Sequence, residues 1–130
     1  MTSLLRALIV EDLAFWQDTL REILNDAGCQ IWIAASYAKA LEILAQHDLH
    51  LAVIDPVLDD TNRHNRDGLR VLRYILDERP GMRAIVVTSS DPRHIQREVN
   101  EMSPDVPVLW KDAWDDEQFL AVVRNFFDKE

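Results

Sequence analysis

The sequence predicts an open α/β fold, a doubly wound sheet of five parallel strands with helices on both faces. Three observations support this prediction. Short apolar runs alternate along the chain with longer segments whose apolar residues recur at helical spacing. The runs are apolar at successive positions, as in strands buried on both faces of a parallel sheet. Several runs also end in a charged or hydroxyl residue, at the edge where such sheets usually hold their functional sites.

The first part of the chain supplies two strands and two helices. Leu4–Val10 is the first strand candidate, and two acids follow it at once. A helix then begins at Leu13, with Trp16 in its apolar stripe, and Gly28 marks its C-terminal end. Ile31–Ala34 is the second strand, and Ser36 is the type of residue that caps the N-terminus of a helix.

The third strand, Leu51–Asp55, consists of four apolar residues that run directly into a carboxylate. A polar segment without periodicity, Asp59–Asp67, comes next, and a third helix starts after Gly68. Asp55 has two interpretations at this point. It is either a functional acid at the edge of the sheet or an ordinary helix cap or turn residue.

The second part of the chain completes the alternation of strands and helices. Ala84–Val87 is a fourth buried strand, and it closes in hydroxyl residues. Asp91–Pro92 has the form of a helix cap followed by proline at the first helical position. Val106–Trp110 is the fifth strand, and a last helix starts at the Asp115–Asp116 pair. We expect residues 1–130 to form a single domain.

Composition excludes several classes of function. The chain carries a net charge of −9, which argues against a nucleic-acid surface because phosphate binding needs a basic patch. Cys29 is the only cysteine, so an internal disulfide and a cysteine-rich zinc site are both excluded. No apolar run approaches the roughly 20 residues of a membrane span, and the chain does not start as a signal peptide does. We therefore expect a cytoplasmic protein that binds a protein partner or a cation.

Five polar residues stand at the predicted strand ends and are expected to meet at one edge of the sheet. They are Glu11 and Asp12, Asp55, Thr88 and Lys111. Clustered carboxylates repel each other unless a cation neutralises them, and oxygen ligands of this kind suit Mg²⁺. A carboxylate beside that metal can act as a nucleophile toward phosphorus, while the metal and a lysine stabilise the charge on the phosphoryl group.

Each of these residues also has a structural explanation when it is taken alone. Asp12 can serve as the N-cap of the first helix, and Glu11 can be a charged side chain in contact with solvent. Thr88 can be a turn hydroxyl, and Lys111 half of an ion pair. The functional interpretation rests on all five falling at the ends of the appropriate strands.

With these residues in place, the chain resembles the receiver domain of two-component response regulators. The resemblance covers nearly the whole chain and implies a flavodoxin-like sheet with strand order 2-1-3-4-5. The matching motifs are Ala7-Leu8-Ile9-Val10-Glu11-Asp12, Leu51–Asp55, Val86-Val87-Thr88-Ser89 and Leu109-Trp110-Lys111.

The resemblance implies a role for each residue of the constellation. Asp55 is the phosphoacceptor, which receives a phosphoryl group from a histidine kinase or phosphotransfer protein. Thr88 is the switch hydroxyl, and Lys111 contacts the phosphate. The ligands of Mg²⁺ are Glu11, Asp12, Asp55 and the backbone carbonyl of Val57. The output is a changed interaction with a downstream protein, and the chain is not expected to be a turnover enzyme.

Four features depart from the family pattern. Pro56 removes the amide hydrogen that follows the phosphoacceptor, and the loop that leads to Gly68 is longer than usual. Asp112 replaces the usual proline after the lysine, so we expect a trans peptide bond there. Val108 stands where the family has its switch aromatic. Trp110 lies on the same strand face and either takes the place of that aromatic or packs against a helix, which is the favoured interpretation.

These departures leave three functions to weigh. The leading one is a phosphoaccepting receiver that switches a protein–protein interaction. The second is an atypical receiver that acts as an interaction module without phosphorylation. The third, an aspartyl-nucleophile phosphohydrolase, is disfavoured because such enzymes want a second acid where this chain has Val57. Homodimerisation, suggested by Arg93 and Arg97 and by the habits of the family, stays open.

Overall fold

The computed structural model describes residues 4–128, which form one parallel sheet flanked by helices on both faces. The strands are β1 Arg6–Val10, β2 Gln30–Ala34, β3 Leu51–Ile54, β4 Arg83–Thr88 and β5 Val108–Trp110. The helices are α1 Ala14–Asp26, α2 Tyr37–Gln46, α3 Asp67–Glu78, α4 Pro92–Met102 and α5 Asp116–Phe127, with a short 3₁₀ turn at Lys111–Ala113.

The strands lie in the order β2-β1-β3-β4-β5, and every neighbouring pair is parallel. This is the predicted flavodoxin-like sheet. The strand ends differ slightly from the prediction. The first strand begins at Arg6 rather than Leu4, and the fifth is confined to its last three residues. Pro107 has no amide hydrogen to give a neighbouring strand, although its carbonyl oxygen accepts a bond from Val86 N at 2.9 Å.

Helix ends follow the predicted capping residues closely. Ser36 Oγ accepts a hydrogen bond from the backbone N–H three residues on, at 3.2 Å. Asp91 and Asp115 use a carboxylate oxygen in the same way at the starts of α4 and α5. Gly28, just past α1, has a φ of 90°, which glycine adopts without strain. Within residues 4–128, every helix is too short or too polar to cross a lipid bilayer.

Two apolar cores lie on opposite faces of the sheet. One joins the sheet to α1 and α5, and its fully buried members include Ala7, Ile9, Leu24, Leu51, Ile85 and Phe119. The other joins it to α2, α3 and α4, and includes Leu8, Val10, Leu44, Ile54, Leu72 and Ile95. Residues at successive strand positions therefore enter opposite cores, which explains why the strands are apolar without alternation.

Helix α3 begins against the end of β3, and this contact requires glycine at position 68. A Cβ atom built on Gly68 would lie 1.8 Å from the carbonyl oxygen of Asp55 and 2.8 Å from the Cα of Pro56. Gly68 N also donates to the carbonyl oxygen of Pro56 at 3.1 Å. The start of α3 and the backbone around Asp55 are therefore one packed unit.

We expect Gly68→Ala to lower the free energy of unfolding by about 3 kcal/mol or more, because the obstructing atoms belong to the backbone and have no rotamer to change. Gly81→Ala is the matched control, since nothing lies within 4 Å of a Cβ built there. That variant should stay within about 1 kcal/mol of wild type. Urea denaturation of the three proteins provides the measurement, and equal stabilities would contradict the close contact.

Candidate functional site

The polar side chains buried within residues 4–128 are those of Glu11, Asp55, Thr88 and Lys111. All four were predicted from the sequence as site residues, and each follows or closes a strand at the carboxyl edge of the sheet. Burying polar and charged groups is costly unless they are paired with each other. Their shared location makes this edge of the sheet the candidate site.

Lys111 is the centre of the site. Its ammonium nitrogen lies 2.6 Å from Oε1 of Glu11 and 2.8 Å from Oδ2 of Asp55. The lysine side chain is only 3% exposed, and the two carboxylates are 1% and 6% exposed. The contacts join the loops after β1, β3 and β5, so they depend on the strand order itself. A buried cation with two anionic partners forms a short, charge-assisted network.

The second oxygen of Asp55 is held by the backbone that follows it. Val57 N donates to Asp55 Oδ1 at 2.9 Å, which closes a tight turn around Pro56. Pro56 has no amide hydrogen, so the first backbone donor after Asp55 is the N–H of Val57. The Pro56 residue itself is buried. The Asp55 side chain is therefore fixed at both oxygens, one by an ammonium and one by an amide.

Asp12 completes a cluster of three acids. One carboxylate oxygen from each of Glu11, Asp12 and Asp55 lies within 4.8 Å of the others. Asp12 is half-buried, so the cluster opens to solvent on its side. Oxygen donors grouped in this way, with one side open to water, fit Mg²⁺, which keeps several water ligands when it binds proteins.

The environment makes Glu11 hard to ionise. The pKa of Glu11 is raised to about 8, first by burial and then by the negative charge of Asp55, while Lys111 acts in the opposite direction. Burial also raises the pKa of Asp12, with smaller contributions from the charges of Asp55 and Asp60. The site therefore holds more negative charge than one lysine neutralises, which is the electrostatic condition for binding a cation.

Thr88 lies at the same edge, on the last residue of β4. Its hydroxyl oxygen accepts a hydrogen bond from Ser90 N at 3.0 Å, which leaves the hydroxyl proton available to another acceptor. Trp110 pairs with Thr88 in the sheet register, yet 40% of its surface is exposed. Trp110 is therefore partly in contact with solvent, and its packing against a helix stays a prediction. Val108, two residues earlier, packs against the core.

The comparisons with known proteins agree with this geometry. The family model described as the response regulator receiver domain matches residues 7–124, which include every residue of the site. The chain belongs to the response regulator receiver domain family. None of the curated proteins compared with this receiver is a match to its sequence.

Solved receiver structures share the fold across almost the whole chain. A CheY-like response regulator receiver protein from Methanospirillum hungatei is 26% identical with a TM-score of 0.83, and the match covers 97% of this chain and 95% of that one. A CheY-like receiver from Methylobacillus flagellatus is 25% identical with a TM-score of 0.73, covering 95% and 98%. A signal receiver domain of an HD domain-containing protein from Pseudomonas fluorescens, 22% identical with a TM-score of 0.80, covers 97% and 96% and shows the fold alone.

In this receiver, side-chain hydrogen bonds hold the base of the polar loop between β3 and α3. Asn65 Oδ1 accepts hydrogen bonds from the backbone amides of Leu58 and Asp67, at 3.0 and 2.9 Å. Arg66 reaches across to α4, where its Nε lies 3.0 Å from Oε1 of Glu98. The base of the loop is therefore held on both sides, and its tip at residues 60–64 is exposed.

The sequence interpretation missed the aromatic residues beside Lys111. Trp16 was assigned to the apolar stripe of α1, and Trp114 was given no role. In the structure the lysine ammonium lies 5.0 Å from the centre of the Trp16 ring, and Trp114 packs edge to face against that ring at 5.1 Å. The available signal was positional, since Trp16 lies one helical turn after Asp12 and Trp114 three residues after Lys111. The bond between Lys111 and Asp112 is trans, as predicted.

The raised pKa of Glu11 predicts how the stability of the metal-free protein depends on pH. Between about 4.5 and about 8 the folded protein retains a proton that the unfolded chain releases. The stabilisation is complete below pH 4.5 and is lost as the pH rises through about 8. We therefore expect the free energy of unfolding of wild type, relative to Glu11→Gln, to fall over this range.

Urea denaturation of both proteins at several pH values, with a chelator present, measures this difference. Asp12 is common to both proteins, so its contribution largely cancels in the comparison. A difference that stays constant would show that folding leaves the pKa of Glu11 unchanged, and one that grows with pH would show that folding lowers it; either result would contradict the raised pKa.

Proposed function

We propose that this receiver accepts a phosphoryl group on Asp55 and uses the modified state to change its binding to another protein. The observation that supports the proposal most strongly is the pairing of Asp55 with Lys111 inside a cluster of three acids. Nucleophile, cation and further acids are the elements that phosphoryl transfer needs in one place. Membership of the receiver family adds to this argument.

The proposed reaction is a direct displacement at phosphorus. A carboxylate oxygen of Asp55 forms a bond to the phosphorus of a phosphohistidine on a kinase or phosphotransfer protein. The P–N bond breaks, its electron pair stays on the imidazole, and an acyl phosphate is left on Asp55. In the separate dephosphorylation step, water attacks the phosphorus and the bond to Asp55 breaks with its electron pair returning to the carboxylate; inorganic phosphate leaves, and a proton of the water is released to solvent or kept on that phosphate.

Side chains already at the site supply the charge that this transfer requires. Lys111 donates to Asp55 Oδ2 in the resting protein and is positioned to donate to a phosphoryl oxygen afterwards. Thr88 has its hydroxyl proton available for another phosphoryl oxygen. Val57 N keeps Asp55 Oδ1 in a fixed orientation, which favours attack by one rotamer of the side chain.

Mg²⁺ fits the acid cluster and is the cofactor that we propose. Its ligands would be Glu11, Asp12, Asp55 and the backbone carbonyl of Val57, with waters in the remaining positions. When it is bound, the ion neutralises the acids and offsets the negative charge of the phosphoryl group. Lys111 alone cannot do this, because it already shares its single charge between two carboxylates.

A second function, an interaction module that operates without phosphorylation, is favoured by one region of the structure. Val108 stands where the family has its switch aromatic and packs against the core, and a valine has no ring whose rotation could respond to a change at Thr88. The aromatic side chain of Trp110 is partly exposed at this edge instead. The two functions differ in one measurable respect, which is whether phosphorylated and unphosphorylated protein differ in self-association or in partner affinity.

The proposal predicts that wild-type protein incubated with Mg²⁺ and a small acyl phosphate takes up about one phosphoryl group per chain. Asp55→Asn should take up none, because an amide is a poor nucleophile. Asp59→Asn is the matched control, since this acid lies on the loop outside the cluster and should label as wild type does. Radiolabel incorporation and intact-protein mass spectrometry provide the measurement.

Three outcomes would contradict the proposal in different ways. Absence of label in wild type would argue against phosphotransfer and favour the interaction module. Label that persists in Asp55→Asn would place the acceptor elsewhere. Sustained release of phosphate over many turnovers would indicate a phosphohydrolase.

A further inference from the structure

We propose that Trp16 is a positioning residue for phosphotransfer, because its ring holds the Lys111 ammonium beside Asp55. This inference rests on the proposed function and adds a residue to it. No metal ligand or phosphate contact is assigned to Trp16. Its effect would act through the lysine, which is the group that the ring touches.

The hydrogen-bonding capacity of Lys111 leaves room for such a contact. An ammonium group has three N–H donors. Glu11 Oε1 and Asp55 Oδ2 accept two of them, and these are the acceptors that the structure provides within residues 4–128. The face of Trp16 lies 5.0 Å from the same nitrogen, within the distance at which a cation is attracted to an aromatic ring. The ammonium is therefore held by two carboxyl groups and a ring.

The Trp16 ring is itself fixed by neighbouring aromatic residues. Trp114 packs against it at a centroid distance of 5.1 Å and an interplanar angle of 81°. Trp114 in turn contacts Phe119, which is fully buried in the core, at 5.3 Å. The indole N–H of Trp114 donates to Asp116 Oδ1 at 2.7 Å, which fixes its orientation at the start of α5. This row of three rings, which we call the aromatic row, connects the lysine to the core.

The aromatic row lies directly after the position where this chain departs from the family pattern beside Lys111. Where related receivers are expected to have proline, this chain has Asp112, and the backbone forms a 3₁₀ turn from Lys111 to Ala113. That turn leads directly into Trp114. The lysine is therefore followed by a short helical turn whose end is anchored by aromatic packing, and Asp112 itself is exposed. We infer that the row performs the orienting role that a rigid proline would otherwise supply.

An aromatic ring is suited to this role because it attracts the ammonium without accepting a conventional hydrogen bond. When the Asp55 oxygen bonds to phosphorus and the leaving group departs with its electron pair, Lys111 has to redirect one N–H to a phosphoryl oxygen. No proton is transferred in this exchange. A third carboxylate would compete for that N–H, whereas the ring keeps the nitrogen in place and excludes water from one side.

The test compares three variants of the full chain. Trp16→Leu removes the ring and keeps an apolar side chain, and Trp16→Phe retains a smaller ring. Trp32→Leu is the matched control, because Trp32 is a half-buried tryptophan on the opposite face of the sheet, packed against His47. Each protein is incubated with Mg²⁺ and a saturating small acyl phosphate, and the rate constant for labelling of Asp55 is measured alongside the urea midpoint.

We expect Trp16→Leu to lower the labelling rate constant about tenfold and Trp16→Phe to recover a substantial part of that loss. Trp32→Leu should lower the urea midpoint and leave the rate constant near wild type. The inference is overturned if Trp16→Leu labels at the wild-type rate, if Trp16→Phe is as slow as Trp16→Leu, or if Trp32→Leu is equally slow.

A spectroscopic measurement separates this inference from the proposed function. The ε-methylene protons of Lys111 should show an upfield ring-current shift in the NMR spectrum of wild type, and Trp16→Leu should remove it. If wild type takes up no phosphate, the proposed function fails whatever this shift shows. If wild type is labelled but the upfield shift is absent, the role of Trp16 alone is overturned.

Discussion

The burial of Lys111 between Glu11 and Asp55 is the constraint on which the carboxyl edge of the sheet depends. A lysine ammonium that is almost fully removed from water needs anionic partners close by, and the two carboxylates need the lysine equally. The strand order brings the three side chains together, with β1 and β3 adjacent and β5 at the far side of β4. Packing around Gly68 and the turn at Pro56 then fix Asp55 relative to that network.

Most of the fold could be predicted from the sequence because its signals are local. Apolar runs, helical periodicity and the caps at Ser36 and Asp91 each act within a few residues, and the structure contains all of them. The strand order came from the family resemblance instead. Strand ends were less predictable, as at Pro107, because the last hydrogen bonds of a strand depend on its neighbour.

The composition of the site was also predictable, but its internal contacts were not. Charged residues after buried strands indicate which side chains gather at the edge, and Glu11, Asp55 and Lys111 do so. Whether an aromatic residue on a helix faces the core or a charged group depends on the packing between elements. Trp16 packs against the core as interpreted, but its contact with Lys111 was not predicted, and neither was the partial exposure of Trp110. Periodicity identifies the inner face of a helix and not the individual neighbour.

The separation of the paired residues along the chain has a consequence for folding. Lys111 is 100 residues from Glu11 and 56 from Asp55, so the network closes two long loops of the chain. Contacts of such high sequence separation are slow to form because their loop-closure entropy is lost before they contribute any stability. The charged centre should therefore assemble late, after the strands have paired. By the same reasoning, a local opening that detaches only β5 and α5 would dismantle the site while most of the sheet stays folded.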